Sequence, residues 1–440
     1  MSIPNDSKLS AQPSRRVSRR DFLKTSAAAL GMPAIIPASA LGLGGTTPPS
    51  ERINFGIIGF GPRASSLVPL FLQETDLQAR AVSDCQPDRR EAAKALVDGT
   101  YGNKDFAMIP DFRELLARPD IDAVYIAAGN RWHGLGSIYA MRAGKDVYAE
   151  KPVSLSIGEG RAVVETAERF GAIYQGGHQR RSIDSCRFVA DVVQRGMIGK
   201  VKRVILRCWA GGTIKEIKPC PVPEGFDYDL WLGGTPWHPF SWERVKGWRY
   251  FWDTGGGMYM DMNCHWTDLL AFCLGRDDTS PVEYQPISSE FAADVASETP
   301  LTCEVNARYA DGVEVLIQSK GTFQERLFRI EGDEGWIEFW DDNGTVKAQP
   351  ESIVRYRAIT TRSYTEAGGH IRNFLDGIKL RRPTIDHPLA AHRATVTMHV
   401  SNLCVRLGRP LRWDPVKERF HNDPEADRMI ARALRPPWTA

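Results

Sequence analysis

Short apolar runs alternate with amphipathic stretches between residues 53 and 177. Ile53–Ile58 is an apolar run of strand length. LQARAV leading to Asp84, then IDAVYIAAG, KDVYAE and AIYQGG, are further runs of this kind. Between them lie stretches with helical period, clearest at 157–170, where Ile157, Val163, Val164, Ala167 and Phe170 fall on one apolar face. Strand–helix alternation with short links predicts a parallel, doubly wound sheet. From residue 201 the period changes. Strand-like runs at 201–209, 282–291, 301–309, 313–320, 326–330 and 335–340 are separated by turns such as Ala310-Asp311-Gly312 and Gly332-Asp333-Glu334-Gly335. These predict an antiparallel sheet. RNFLDGI, a helical stretch at 388–407 and a Pro-rich end form a tail expected to pack back on the core. The chain reads as α/β, with a linker at 41–52 and a doubly wound domain at 53–177. A second α/β domain follows at 178–365, and C-terminal helices and tail at 366–440.

Composition narrows the class. With 440 residues, the chain is too long for one ordinary core. Its 42% hydrophobic and 25% charged residues exclude a wholly disordered, collagen-like or coiled-coil protein. The formal net charge is +2, but residues 1–40 hold six basic and two acidic residues and so carry more than all of it. The remainder is slightly acidic, which argues against a nucleic-acid partner and suits a neutral small molecule.

That basic excess has a pattern. Arg19-Arg20 precede Phe22-Leu23-Lys24, a modest apolar stretch and Ala38-Ser39-Ala40. A basic region, an apolar region and a small-residue site make an export signal. The paired arginines predict the twin-arginine route, with cleavage near Ala40 and a periplasmic or other extracytoplasmic destination. The export machinery is then a partner. The apolar stretch is too short for a good membrane span. Export after folding implies a cofactor loaded in the cytoplasm and held tightly. The eight cysteines include no C-x-x-C pair and no zinc-like Cys/His spacing. Free, mostly buried thiols and no metal site are expected.

Candidate chemistry begins at Gly59, Phe60, Gly61, Pro62, Arg63 and Ala64, a G-x-G-x-x-A turn between a strand and a helix. This is a dinucleotide fingerprint: one glycine for the turn, one for close approach of a pyrophosphate to the helix N-terminus. Asp84, at the end of the second strand, can accept the ribose hydroxyls, or cap the helix that follows. A 2′-phosphate would be repelled there, which favours NAD, although Arg89 and Arg90 lie close by and leave NADP open. Asn130 and His133, and Glu150-Lys151-Pro152, sit at the carboxyl ends of later strands, where ligands of such sheets bind. Asp261 and His265 are four apart, so on a helix they share a face. A carboxylate can orient an imidazole, and an imidazole is a suitable base for an alcohol proton. Lys151 can donate to the substrate oxygen or the nicotinamide ribose. Pro152 holds it extended or in a cis bond.

AGKDVY followed by Glu150-Lys151-Pro152, together with DTGGGMYMDMNCHWTDLLAF, resembles the Gfo/Idh/MocA oxidoreductase family, in particular its exported branch. The resemblance runs from about Arg52 to the C-terminus. It implies a Rossmann domain followed by an α/β domain with a large, mostly antiparallel open sheet, through which a homo-oligomer forms. It assigns catalytic roles to Lys151, Asp261 and His265, and a place beside cofactor or substrate to His133. Gln179 and Arg180 correspond to a pair the family keeps near the cleft. The sequence departs from the family at Asn263, where glycine is common, and in the 129–133 loop, which lacks a usual proline.

Five of the twelve tryptophans, Trp231, Trp237, Trp242, Trp248 and Trp252, fall just before the Asp/His segment. Aromatic faces suit the apolar face of a pyranose, and Arg249 or Tyr250 can donate to its hydroxyls. Trp248, Trp252 and Tyr259 join Gln179 and Arg180 as candidate substrate contacts. The implied activity is NAD(P)-dependent hydride transfer at a secondary hydroxyl of a sugar, glycoside or cyclitol. An alternative is glycoside cleavage by transient oxidation and elimination. A non-catalytic sugar-binding protein is the third reading, and Lys151, Asp261 and His265 argue against it.

Overall fold

The computed structural model describes residues 47–339, 345–355 and 368–440. The export signal expected at 1–40 lies outside the described residues. Contacts separate the chain after Glu51, and the unit Arg52–Ala440 carries both sheets.

Six strands build the first sheet: β1 (Ile53–Ile58), β2 (Leu77–Ser83), β3 (Ala107–Ile109), β4 (Ala123–Ile126), β5 (Asp146–Ala149) and β6 (Tyr174–Gly176). All pairs are parallel, in the order β3-β2-β1-β4-β5-β6. β4 and β5 are buried along their whole length, so they read as continuous apolar runs rather than alternation. The order reverses between β1 and β4, which opens a crevice at the strands' carboxyl ends.

The second sheet has nine strands: β7 (Val201–Cys208), β8 (Glu283–Glu290), β9 (Thr302–Arg308), β10 (Glu314–Ser319), β11 (Leu327–Gly332), β12 (Trp336–Phe339), β13 (Val346–Gln349), β14 (Leu411–Asp414) and β15 (Arg419–Phe420). Their order is β13-β12-β11-β7-β10-β9-β8-β14-β15. β7 and β10 run parallel, and the other ladders are antiparallel. One face buries Val305, Ala307, Val315 and Ile317 in a core shared with Met260, Cys264 and Leu269 of the Gly257–Leu274 helix. On the other face, Asn306 and Leu316 stay half-buried. The expected strands all form. β3, β13, β14 and β15 are additional, and each has at most four residues, too few for a period to declare itself.

The Gly257–Leu274 helix positions the site. It follows a glycine run in which Gly256 and Gly257 take φ of +79° and +91°, a region other residues avoid. It is buried on nearly all sides, so its polar residues must find partners inside the protein. The Gly368–Leu380 helix returns to the first sheet, where Ile371, Phe374 and Leu375 join the core around Phe55, Phe71 and Tyr148. All eight cysteines are free, and six are buried.

Candidate active site

The fingerprint turn is shaped by two backbone requirements. Gly59 has φ +85°, and a Cβ there would lie 2.6 Å from the Ala128 backbone at the end of the neighbouring strand. Gly61 is the N-cap of the Pro62–Phe71 helix and offers no side chain to its free amides. Those amides and the helix dipole are therefore left for an anion. Gly61, Pro62 and Arg63 line a cavity of about 790 Å³ that Lys151, Asp261 and His265 also line. Ala64 is fully buried and acts through packing, and Phe60 acts through its backbone. The Phe60 N–H donates to Asp84 Oδ2 at 2.8 Å, and the Gln86 N–H to Oδ1 at 2.9 Å. Asp84 thus ties the fingerprint turn to Gln86, the residue before the Pro87–Tyr101 helix, whose N-terminus has no side-chain cap, and it lines a small pocket with Gly59 and Arg89. The Arg89 guanidinium lies 3.9 Å from it.

Charges are paired across the cleft. Glu150 Oε1 accepts from Arg63 at 2.8 Å, Gln179 at 3.1 Å and Tyr125 at 3.2 Å. Burial would raise the Glu150 pKa, but Arg63 outweighs it and holds the carboxyl below its ordinary value. The next peptide, Lys151–Pro152, is cis. Lys151 Nζ reaches the Gly257–Leu274 helix and donates to Asp261 Oδ1 at 3.0 Å. Asp261 Oδ2 accepts from Arg249 Nε at 2.9 Å. Burial opposes this carboxylate's charge, yet Lys151 and Arg249 hold its pKa well below the usual range.

His265 lies one turn further along the helix, on the same cavity. Its Nδ1 is buried and has no hydrogen-bond partner among the described residues. The expected Asp261–His265 hydrogen bond is therefore absent. The spacing does place both on one face, but two cations occupy the carboxylate's oxygens. Burial pushes the His265 pKa well below its ordinary value, and the nearby Arg180 and Lys151 charges push it further. The ring is neutral at physiological pH, the form that accepts a proton. His133 Nδ1 meets the Pro152 carbonyl at 3.0 Å, and burial lowers its pKa to about 4. Asn130 donates to the Gly255 carbonyl at 3.1 Å and links the strand end to the glycine run.

Family models match this architecture along nearly all of the unit. Residues 53–178 match "Oxidoreductase family, NAD-binding Rossmann fold", and residues 188–440 match "Oxidoreductase family, C-terminal alpha/beta domain", both of the Gfo/Idh/MocA set. The chain belongs to the Gfo/Idh/MocA oxidoreductase family. Among curated relatives, a glycosyl hydrolase family 109 protein of Saccharopolyspora erythraea is 34% identical over 34% of this chain and 37% of its own length. A 1,5-anhydro-D-fructose reductase of Ensifer adhaerens is 27% identical over 40% of this chain and 44% of its own. The matched stretch thus spans less than half of either relative. Among solved structures, aldose–aldose oxidoreductase of Caulobacter crescentus is 19% identical with a TM-score of 0.63, covering 82% of this chain and 99% of its own. The myo-inositol 2-dehydrogenase of Lactobacillus plantarum is also 19% identical, with a TM-score of 0.60 and the same coverage. Likeness at that identity shows the fold.

Within this Gfo/Idh/MocA cleft, Gln179, Arg180 and Trp248 line the cavity, as do Trp231 and Trp242. Two expected contacts lie elsewhere. Tyr259 is buried in the second core, its hydroxyl against Ser401. The helix turns it toward the Pro388–Leu407 helix, away from the cleft. Trp252 faces a separate cavity. One role escapes sequence reasoning, that of Arg249 as a partner of Asp261, while Arg131, at a strand's carboxyl end, forms part of the cleft wall. Arg131 donates to the Trp231 carbonyl and stacks on that ring at 3.8 Å. A basic residue directly after Asn130, at a strand's carboxyl end, is the signal that points to it.

Behind His265 lies a charged cluster. His178, Asp268 and Asp386 bring three potential metal-ligand atoms within 4.8 Å of one another. The Arg181 guanidinium already pairs with Asp268 at 2.8 Å, so the cluster contains its own cation. His178 Nδ1 lies 2.8 Å from Asp386. Burial works against an imidazolium here, but Asp268 and Asp386 outweigh it.

Proposed function

We propose that this protein moves hydride between a secondary hydroxyl carbon of a sugar, glycoside or cyclitol and a nicotinamide dinucleotide. The observation that carries this reading is the one cavity lined both by Lys151, Asp261 and His265 and by the fingerprint turn. The residues fit the dinucleotide: the uncapped helix N-terminus behind Gly61 suits a pyrophosphate, and Asp84 suits a ribose. When bound, the nicotinamide supplies the hydride acceptor at its ring carbon. Neutral His265 takes the hydroxyl proton as the C–H electron pair leaves with the hydride, so charge and atoms balance. Lys151, held by Asp261, donates a hydrogen bond to the same oxygen and stabilises its growing negative charge. In the reverse direction the imidazolium returns the proton. Asp84 favours NAD, and Arg89 beside it keeps NADP within reach.

Trp231, Trp242 and Trp248 on the cleft support a substrate with an apolar ring face, and the relatives named for sugars and inositol agree. The family 109 relative favours a second reading, in which the hydride returns to the same molecule after elimination of a glycoside. The Arg19-Arg20 leader supports export by the twin-arginine route to the periplasm, with the dinucleotide bound tightly beforehand. The half-buried face of the nine-stranded sheet suits a homo-oligomer.

The test is to purify the mature protein, identify the nucleotide released on denaturation, and incubate the enzyme with sugars, cyclitols and aryl glycosides. Absorbance of reduced cofactor with a ketone product supports the first reading. Aglycone release without net reduction supports the second. Neither signal with any substrate, and no nucleotide released, would refute both.

A further inference from the structure

A second cavity, of about 610 Å³, adjoins the nucleotide cleft and shares Arg131 with it. Its wall comes from the start of the Ile157–Phe170 helix, from Trp252-Asp253, and from residues 428–434 near the C-terminus. Leu135, Leu155, Met429 and Leu434 give it an apolar lining. Arg406, Arg428 and Arg432 also line it.

Glu159, Asp253 and Ala440 share the wall, and Glu298 acts on Arg406 from a distance, but none of their carboxylates is in direct contact with the three arginine heads. Among the described residues none of the three forms an ion pair. Arg432 donates only to the main-chain carbonyl of Asp253, at 3.3 Å. Arg406 stacks over Trp252 at 4.9 Å. The carboxylates that share the wall are engaged elsewhere. Asp253 meets His238 at 2.6 Å and Arg244 at 3.3 Å. Glu159 accepts from the Leu155 N–H at 2.9 Å, and burial raises its pKa to about 7. Burial lowers the pKa of Arg432 and the neighbouring Arg406 charge adds to this, while Glu159 and Asp253 offset part of it.

We propose that this cavity is a second binding site, for a small organic acid with one carboxylate on an apolar body. An arginine fork matches a carboxylate with two parallel hydrogen bonds. The apolar lining takes the body, and the volume is that of ordinary small-molecule sites. The acid supplies a carboxylate in direct hydrogen-bond reach of the arginines, which Glu159, Asp253 and Glu298 do not. The catalytic groups lie outside this cavity, so the site is separate from the hydride-transfer reading and stands or falls independently of it.

The experiment is calorimetric titration of the full chain with phenylbutyrate, with phenylbutanol as the uncharged isostere and with inorganic phosphate. The expected result is one phenylbutyrate per chain, bound at least about tenfold more tightly than the alcohol or phosphate. Arg432→Gln and Arg428→Gln should each weaken the acid severalfold while the NAD titration stays at the parent value. Arg428 is exposed, so its substitution leaves folding intact. No phenylbutyrate binding, equal binding of acid and alcohol, tighter binding of phosphate, or indifference to both substitutions would each overturn the site.

Discussion

Lys151 holds Asp261 at two points, its main-chain carbonyl at 2.8 Å and its carboxylate at 3.0 Å. The ammonium thereby joins the end of β5 to the Gly257–Leu274 helix, and Arg249 completes the pairing from a third segment. Asp261→Asn keeps the shape but removes the charge that two cations share, and its amide N–H would face one of them. We expect turnover to fall about 10–100-fold through misplaced Lys151, with dinucleotide affinity nearly unchanged. Folding stability should drop by roughly 1–3 kcal/mol, because the buried acceptor no longer satisfies both donors. Steady-state kinetics and urea denaturation check both. Parent-like turnover and stability in this variant would mean that the pairing holds nothing in place.

Turnover should also report the His265 environment. Only a neutral imidazole accepts a proton, so oxidation fails once His265 is protonated. Its pKa is pushed down by burial and by Arg180 and Lys151. In the oxidation direction kcat/KM should therefore be level through neutral pH and fall only well below the ordinary histidine range. His265→Ala should lose about 10²–10⁴-fold in turnover while binding NAD as the parent does. Near-parent single-turnover reduction in His265→Ala would assign the base to another group. Tyr259 is out of reach in the core, so His133 would be the next to test.

Much of this architecture is legible in the sequence. Period-two and period-3.6 patterns reveal both sheets because each has a buried face or a fully buried strand. The additional strands β3, β13, β14 and β15 are too short to show a period. The fingerprint is legible because its glycines answer local backbone demands. The true partners of Asp261 are not: spacing puts it on one face with His265, but Lys151 and Arg249 come from segments 110 and 12 residues away. Trp252 and Tyr259 are adjacent to cleft residues in sequence, yet helix rotation and chain direction send them elsewhere, and no local pattern encodes that.

The leader gives a prediction of its own. Arg19→Lys with Arg20→Lys should leave the protein in the cytoplasm with its leader uncleaved, because the apolar stretch after it is too weak to act without the arginine pair. Fractionation and N-terminal sequencing check this. Normal periplasmic levels of the double variant would remove the twin-arginine reading.

Cofactor choice should turn on two neighbours, Asp84 and Arg89. The Asp84 carboxylate is held by the Phe60 and Gln86 amides, so it stays in place to meet a ribose and to repel a 2′-phosphate. Arg89, at 3.9 Å, offers that phosphate a counter-charge. The unmutated protein should bind NAD more tightly than NADP, by a modest margin. Arg89→Ala should widen that margin by about 10- to 100-fold, since a charged hydrogen bond to phosphate contributes roughly 1.5–3 kcal/mol. Asp84→Ala should weaken both dinucleotides, because the fingerprint turn loses its anchor, and should narrow the preference for NAD. Calorimetry with both nucleotides distinguishes these outcomes. NADP binding more tightly than NAD in the unmutated protein would show that Arg89, not Asp84, governs the pocket.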